Sequence, residues 1–308
     1  MINIPKISIL LITYNQEKLI GRAIDSILLQ KEWVYEIIIS DDCSTDNNWQ
    51  VITQYTQKYP NLIKSYRNKT NLGIFENVES LYSKPTGDMV FWLAGDDTFC
   101  DGLFVNAIEI INQNDIDYKN ELFCIYFDHK RIFTDGSSYI HSNKMILKNF
   151  NPISLSIRQL INNRAAGYSV NILKKMFPVR KDIGIYADGL IDIQLQMFAT
   201  HNYYAPFVGN IYYVGIGVSV NTSSNDHYKS ILQFYKELRC YVDLNPKDEY
   251  YLRFCEEKVL LFPLSWRRST KTLLFYLKSI NVQFGLRGLQ FSKIFFISKR
   301  QIKSNVKI

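Results

Sequence analysis

Residues 87–97 read Gly-Asp-Met-Val-Phe-Trp-Leu-Ala-Gly-Asp-Asp, an apolar run that ends in two adjacent aspartates. The five apolar residues from Met89 to Leu93 are typical of a strand that is buried on both faces of a sheet. Two earlier runs, Ile7 to Ile12 and Glu36 to Ser40, have the same character, and they end in Thr13-Tyr14-Asn15 and in Asp41-Asp42. Each of these predicted strands therefore places polar groups at its carboxyl end.

Helical patterns separate the predicted strands. Apolar residues recur at helical spacing from Glu17 to Gln30 and from Leu103 to Gln113, and a weaker pattern covers Gly73 to Tyr82. This alternation predicts an α/β fold with a doubly wound, mostly parallel sheet flanked by helices. Ligands of such sheets bind beyond the carboxyl ends of the strands, so we expect the polar groups to gather on one rim.

The second half of the chain is less regular. We predict a helix near Pro152 to Asn162, a helix from Gly189 to Ala199 and short strands around Tyr203 to Val214. From His227 onward the pattern is helical. We expect Asp128-His129 to be ordinary surface.

The charge of the chain is uneven. The 308 residues carry a net charge of +7, yet the segment from Lys258 to Ile308 holds eleven Lys and Arg and no acidic residue, so the rest is slightly acidic. Basic segments with interleaved aromatic residues are attracted to anionic membrane surfaces. A solvated helical bundle that packs on the body would have the same composition. Nucleic-acid binding is not predicted, because the body carries no motif for it.

Cysteine and histidine are dispersed, with five and four residues and no paired spacing, which indicates a reduced compartment and no zinc cluster. Met1 to Pro5 does not predict a signal peptide. No apolar run reaches the roughly 18 residues that a spanning helix needs. We therefore expect a cytoplasmic protein, either free or peripheral at the inner face of the plasma membrane.

The Asp96-Asp97 pair suits a divalent cation. Mg²⁺ or Mn²⁺ can bridge carboxylates to phosphate oxygens and neutralise charge on a leaving diphosphate. Spacing alone leaves a solvated turn or a helix cap as the alternative. Asp42 is similarly open, because a carboxylate at this strand end can accept the imide N–H of uracil or thymine, or can cap the next helix.

Taken together, these segments resemble the family 2 glycosyltransferases, which have the GT-A fold. The resemblance covers roughly residues 5 to 115 and is carried, in order, by Ser8 to Asn15, Glu36 to Asp46 (EIIISDDCSTD), Asn71-Leu72-Gly73 and Gly87 to Asp97. Two positions depart from the family pattern. Cys43 stands where the family's "DDGSTD" signature has glycine, and Ala94 stands where many members carry the first acid of a D-x-D motif.

The resemblance implies roles for individual residues. Asp96 and Asp97 would bind Mn²⁺ or Mg²⁺, and Asp188 would be the catalytic base of an inverting transfer. Asp192 is the competitor for that role, and a plain helix cap is the alternative for Asp188. The residues implied in donor binding are Thr13, Tyr14, Asn15, Asp41, Asp42, Asn71, Gly73, Gly95 and Asp96. A Gly/Ser-rich loop, Gly215 to Ser219, could close over the diphosphate.

By the same resemblance, the chain would move a sugar from a UDP- or dTDP-type donor to a carbohydrate or lipid-linked acceptor in bacterial cell-surface polysaccharide biosynthesis. Residues 1–225 would form the catalytic domain, with a nucleotide-sugar-binding half (1–115) and an acceptor-side half (116–225). Residues 226–308 would form a helical basic C-terminal region. A non-catalytic nucleotide-sugar-binding or scaffold subunit remains an alternative, and a nucleotidyltransferase is a second one.

Overall fold

Successive residues of the first strands belong alternately to two apolar layers, one on each face of the sheet. The computed structural model describes residues 4–147, 154, 164–178, 187–216 and 224–261. Strands β1 (Ile7–Thr13), β2 (Val34–Asp41), β3 (Ile63–Arg67) and β4 (Met89–Ala94) pair in parallel in the order β3-β2-β1-β4. Ile9 and its register partners Ile37 and Phe91 lie in one buried cluster. Leu10, Ile38 and Val90 of the same three strands lie in the other, so both faces of β1, β2 and β4 are covered, whereas β3 is largely exposed.

Helices connect these strands, as the apolar spacing predicts. They are α1 (Ile20–Leu28), α2 (Asn48–Lys58), α3 (Ile74–Glu79) and α4 (Leu103–Gln113). Helix α1 buries Ile20, Ala23, Ile24 and Ile27 in the same cluster as Ile9. Its apolar face therefore covers one face of the parallel strands.

The second half extends the sheet through antiparallel as well as parallel pairs. It contributes β5 (Thr98–Phe99), β6 (Phe123–Phe133), β7 (Ser138–His141), β8 (Ala166–Ser169) and β9 (His201–Val214). The sheet order is β3-β2-β1-β4-β8-β6-β9-β5, with β7 paired to β6. Strand β8 pairs antiparallel with both β4 and β6, and thereby joins the two halves. The predicted α/β fold of the GT-A type is confirmed, whereas the short strands expected near residue 203 are one strand of 14 residues.

Four further helices are described: α5 (Val170–Leu173), α6 (Ala187–Phe198), α7 (Ser224–Tyr241) and α8 (Pro246–Leu261). Helix α6 confirms the helix predicted from residue 189. The chain divides into two compact units, residues 1–240 and 241–308. The division predicted at residue 225 stays a prediction. Within the described residues, no helix has the length and apolar character needed to span a bilayer.

Two predictions fall outside the described residues. One is the helix near Pro152 to Asn162, of which residue 154 alone is described, and the other is the basic segment, of which residues 262–308 are not described.

Candidate active site

The carboxyl ends of three parallel strands bring the predicted segments together. Thr13, the last residue of β1, is the register partner of Asp41 at the end of β2. On the other side of β1, Ile12 is paired with Ala94 at the end of β4. The segments that follow these residues therefore share one edge of the sheet, as predicted.

Asp41 is fully buried and holds the turn between β2 and α2. Its carboxylate accepts hydrogen bonds from the Ser44 backbone N–H (3.0 Å), the Ser44 hydroxyl (2.5 Å) and Asn48 Nδ2 (2.7 Å). Arg67 Nε lies 3.4 Å from the same carboxylate. These contacts fix the start of α2. Asp41 therefore has a structural role at this edge of the sheet, independent of any contact with a donor.

Asp42 ties the loop before α3 to the end of β2. Its Oδ1 accepts hydrogen bonds from the Leu72 N–H and from Asn68 Nδ2, and its Oδ2 accepts one from the Gly73 N–H, each at 2.8 Å. Gly73 has φ +86°, and Asn71 Oδ1 accepts a further bond from its N–H at 3.1 Å. The structure thus brings Asn71 and Gly73 to Asp42.

The Thr13-Tyr14-Asn15 segment packs against the turn after Asp42. Asn15 takes a left-handed backbone conformation (φ 52°), its N–H donates to Ser44 Oγ (2.9 Å), and its Oδ1 accepts from the Thr45 N–H (2.7 Å). Thr13 is buried and donates to Gln16 Oε1 at 2.8 Å. Tyr14 is 36% exposed, which leaves its ring accessible to a ligand.

Gly95 allows the two strand ends to approach each other. A Cβ at this position would lie 2.8 Å from Thr13 Oγ1 and 2.9 Å from Thr13 Cβ, closer than side chains tolerate. The glycine before the acidic pair is therefore required by packing. Its predicted contact with the donor stays a prediction.

Asp96 and Asp97 are a desolvated acidic pair. Asp97 is 4% exposed, and burial together with the neighbouring Asp96 charge raises the pKa of its carboxyl to about 7. Burial also raises the pKa of Asp96. Asp97 Oδ1 accepts a hydrogen bond from the Tyr213 N–H at 3.1 Å. A strand of the second half therefore holds one member of the pair.

The pair fits a hard divalent cation. Burial and mutual repulsion disfavour the two carboxylates in their charged form, and a cation between them would relieve both effects. Mg²⁺ in such sites uses one or two carboxylates and completes its shell with water and substrate phosphates. No group of three potential metal-binding His, Cys, Asp or Glu side chains occurs in the described part of the chain. A bound cation would therefore depend on donor oxygens as well as on Asp96 and Asp97.

Arginines surround the acidic pair, and the sequence patterns did not single them out. Arg22 on α1 donates to the Asp96 carbonyl oxygen at 2.6 Å, and its guanidinium lies 3.8 Å from the ring centroid of Tyr213. The charges of Arg22 and Arg164 both lower the pKa of Asp97 and so oppose the effect of burial. Arg22 is a charged residue inside an apolar helical pattern, which is a weak signal, whereas Arg164 gave none.

Two predicted elements of the second half are only partly described. Helix α6 begins at Ala187, two residues before the predicted start at Gly189, so position 188 lies in its first turn and not ahead of it; the Asp188 side chain lies outside what the structure describes. Of the Gly/Ser-rich loop, Gly215 and Ile216 are described, and Gly215 has φ +85°. The roles of both elements stay predictions.

The expectation that His129 is ordinary surface is wrong. Its side chain is fully buried, its ring is stacked on His141 with 4.8 Å between centroids, and its Nε2 accepts a hydrogen bond from Arg131 Nε at 3.1 Å. Burial and the Arg131 charge lower its pKa to about 2, so the imidazole is neutral. The polar dipeptide Asp128-His129 did not reveal from the sequence that the His129 side chain is buried in the β6–β7 hairpin.

Comparison with known proteins gives a consistent result. The model of the family "Glycosyl transferase family 2" matches residues 8–159. An uncharacterized protein of Mycobacterium tuberculosis is 37% identical over 97 residues, which are 31% of this chain and 28% of that protein. The putative glycosyltransferase EpsE of Bacillus subtilis is 37% identical over 93 residues, which are 30% of this chain and 34% of that protein. The chain thus spans about a third or less of these curated relatives.

Solved structures with a similar fold include two with bound nucleotide sugars. S. aureus TarS 1-349 in complex with UDP-GlcNAc has a TM-score of 0.59 at 19% identity, over 92% of this chain and 76% of that chain. The mannosyltransferase PcManGT from Pyrobaculum calidifontis, in complex with GDP-Man and Mn²⁺, has a TM-score of 0.58 at 12% identity, over 92% and 81%. These similarities establish the fold.

Proposed function

Residues 8–159 of the chain belong to glycosyl transferase family 2, and on that premise we propose that the protein transfers a sugar from a nucleotide-diphosphate sugar to a carbohydrate or lipid-linked acceptor. One observation carries the proposal. The ends of β1, β2 and β4 place the Asp42 loop and the Asp96-Asp97 pair on one edge of the sheet. A nucleotide diphosphate needs contacts for its base, which the Asp42 loop would supply, and contacts for its phosphates, which the acidic pair would supply through a cation.

Donor recognition is assigned to the loop held by Asp42. Asp42 fixes the loop that carries Asn71 and Gly73, which would give a base a rigid polar rim, and the exposed Tyr14 ring on the loop after β1 would offer an aromatic contact. A UDP- or dTDP-type donor is proposed because a carboxylate at this position can accept the imide N–H of uracil or thymine. Thr13, Asn15, Asp41 and Gly95 would shape the same edge through their contacts with each other.

Asp96 and Asp97 would hold Mn²⁺ or Mg²⁺, which supplies neutralisation of the negative charge on the leaving diphosphate when bound. Asp97 is positioned for this by the Tyr213 N–H. Arg22, anchored on the Asp96 carbonyl oxygen, adds positive charge at the same edge. The cation held by Asp96 and Asp97 and the Arg22 guanidinium would both lie where negative charge develops during the transfer. Neither would need to rearrange, which is the basis of electrostatic preorganisation.

Asp188 is proposed to accept the proton of the acceptor hydroxyl at the start of α6. A carboxylate in this role activates the hydroxyl for attack on the anomeric carbon from the face opposite the diphosphate. Single displacement of this kind inverts the anomeric configuration.

We place the reaction in cell-surface polysaccharide biosynthesis, at the cytoplasmic side and with the basic C-terminal region on an anionic membrane surface.

The test is release of the nucleotide diphosphate from a panel of UDP- and dTDP-sugars with and without Mn²⁺. We expect Asp96→Asn and Asp188→Asn to lower the rate by at least about 100-fold, which is typical for loss of one electrostatic or acid–base group. Asp101→Asn is the matched control, because Asp101 is an exposed aspartate close in sequence to the pair.

The two variants separate the roles. Asp96→Asn should also abolish the dependence on Mn²⁺, whereas Asp188→Asn should keep metal-dependent nucleotide binding. If the wild-type protein binds UDP or dTDP but turns over no donor, catalysis is refuted. Ala94 and Cys43, which depart from the family pattern, would then be explained by a non-catalytic nucleotide-sugar-binding subunit.

A further inference from the structure

A cavity of about 160 Å³ lies beside Asp97, at the carboxyl ends of β1 and β4. Helix α3 contributes Ile74, Phe75 and Val78 to its lining, and Ile12 and Trp92 come from the strands. Sites for whole drug-sized ligands measure roughly 300–1,000 Å³. This cavity is therefore on the scale of a single sugar ring and not of a complete nucleotide sugar.

The polar residues of the lining come together on one side. They are Asp97, Arg164 and Asn210. Asp97 accepts from the Tyr213 N–H, and β5, which follows Asp97 directly, pairs with Asn210 and Ile211 of β9. The Arg164 charge acts on Asp97. The cavity thus has three polar lining residues, of which Asn210 is on β9 and Asp97 is bonded to that strand, and an apolar wall to which α3 contributes three residues.

Asn210, one of these polar lining residues, carries an unsatisfied acceptor. The residue is 2% exposed, and its Oδ1 is buried with no hydrogen-bond partner among the described residues. Buried acceptors are normally paired, so an unpaired one calls for a donor from outside the fold. Its register partner His129 on β6 does not supply one, because His129 Nδ1 is also buried without a partner.

The backbone of Asn210 is held on both sides. Asn210 pairs with Phe99 on β5 and with His129 on β6, and the Cys100 N–H donates to the neighbouring Gly209 carbonyl oxygen at 2.9 Å. A side chain on such a central strand is fixed in position. Groups fixed in this way discriminate between ligands better than groups on loops.

We propose that this cavity receives the transferred sugar, that the sugar is an N-acetylated amino sugar, and that Asn210 is the residue that selects it. The acetamido N–H would donate to Asn210 Oδ1, and the acetamido methyl would lie on the apolar wall formed by α3. The proposal rests on the proposed function, since a diphosphate at Asp96-Asp97 places the attached sugar beside Asp97.

The chemistry of the lining favours an acetamido group over a hydroxyl. A hydroxyl can donate to Asn210 but leaves Phe75 and Val78 without an apolar partner. An acetamido group offers a donor and a methyl together, and both surfaces are then used. Burial of one methyl and formation of one hydrogen bond to a buried group together correspond to an affinity gain of about tenfold or more.

Calorimetric titration of the full chain with UDP, UDP-GlcNAc and UDP-glucose, in Mn²⁺, tests the assignment. The two sugars differ only in the acetamido group. We expect wild type to bind UDP-GlcNAc at least about tenfold more tightly than UDP-glucose. Asn210→Ala and Val78→Thr should each reduce this ratio severalfold while leaving the affinity for UDP unchanged. Val78→Thr keeps the side-chain shape and makes the wall polar.

Asn202→Ala is the matched control. Asn202 is on the same strand and also has a buried Oδ1 without a partner in the described structure, but it does not line the cavity. It should keep the wild-type ratio. UDP affinity reports folding of each variant, and Asn210→Ser, which keeps a hydroxyl acceptor, should retain part of the preference.

The outcomes separate this inference from the proposed function. Wild type that binds none of the three ligands refutes the proposed function. Wild type that binds UDP and both sugars with affinities within about twofold refutes the acetamido assignment alone. An Asn210→Ala variant that loses UDP and UDP-GlcNAc binding equally would show that Asn210 has a structural role, and this also refutes the acetamido assignment. An Asn210→Ala variant with an unchanged ratio of UDP-GlcNAc to UDP-glucose affinity refutes the assignment as well, because only water would then occupy the site.

Discussion

Replacement of Cys43 by glycine should stabilise the protein. Cys43 follows Asp42 in the turn between β2 and α2, and its backbone has φ 59°, in the left-handed region. A left-handed conformation costs a residue with a side chain roughly 1–2 kcal/mol. Glycine removes this cost, but it loses more chain entropy on folding, by roughly 0.5–1 kcal/mol. The net expectation is a gain of about 0.5–1 kcal/mol.

The thiol itself contributes little against this gain. Its one described contact is a weak one, from Sγ to the Lys69 carbonyl oxygen at 3.7 Å. Cys43→Ala therefore serves as the matched control, because alanine removes the thiol but keeps the Cβ and the left-handed strain. We expect Cys43→Ala to be equal to wild type or slightly less stable.

The measurement is the urea midpoint and the thermal midpoint of the three proteins at one pH. A gain of this size corresponds to an increase in Tm of about 1–3 °C for a chain of this length. UDP affinity should be unchanged in Cys43→Gly, because the turn already has the conformation that glycine favours. Equal midpoints for the glycine and alanine variants would show that the left-handed backbone is not strained, and would refute the reasoning.

Three further predictions concern buried groups. His129 is neutral in the fold and protonates near its ordinary pKa when unfolded, so the free energy of unfolding should fall by up to about 1.4 kcal/mol per pH unit from about pH 6 to pH 4. Urea midpoints at pH 7 and pH 5 should differ less in His129→Gln than in wild type, and equal differences would contradict this. Glu36 accepts hydrogen bonds from Ser8 and Thr86 besides its 2.7 Å ion pair with Lys64, so Glu36→Gln should cost about 2 kcal/mol and Lys64→Met under about 1 kcal/mol in urea unfolding; equal costs would refute the burial argument. Gly167→Ala would place a Cβ 2.7 Å from Phe91 Cε1 and should cost about 1–3 kcal/mol, whereas Gly21→Ala in α1 meets ordinary contact distances and should gain up to about 1 kcal/mol; a thermal midpoint unchanged by Gly167→Ala would contradict the packing.

The first half of the fold could be predicted from the sequence because three of its strands, β1, β2 and β4, are buried on both faces. Apolar runs such as Ile9 to Ile12 are typical of that condition, and the polar residues that end them then mark one edge. The antiparallel strands of the second half gave a weaker signal. Strand β9 has mostly half-buried residues, with Pro206 and Gly209 inside it, and it read as several short strands.

The candidate site divides in the same way. Asp42 follows the end of β2, and Asn71 and Gly73 lie in the loop after the neighbouring parallel strand β3, so topology brings them to the same edge. Asn210 and Arg164 come to the cavity through pairings between β4, β8, β6, β9 and β5, and those pairings join residues about 40 to 110 positions apart in the chain. Long-range pairing, whether antiparallel or parallel, has no local signature, so these residues could not be found from motifs.

The same pairings give Asp97 a structural dependence that its motif does not show. Its carboxylate accepts a hydrogen bond from the Tyr213 N–H on β9. The two residues after Asp97 are strand β5, which pairs with Asn210 and Ile211 of β9. Asn210 in turn lines the cavity beside Asp97. The diphosphate side and the proposed sugar side are therefore attached to a single strand of the second half. If Asn210 selects the sugar as proposed, we expect discrimination between sugars and placement of the acidic pair to be coupled through this strand, because a shift of β9 that moves Asn210 also moves the donor of the hydrogen bond that holds Asp97.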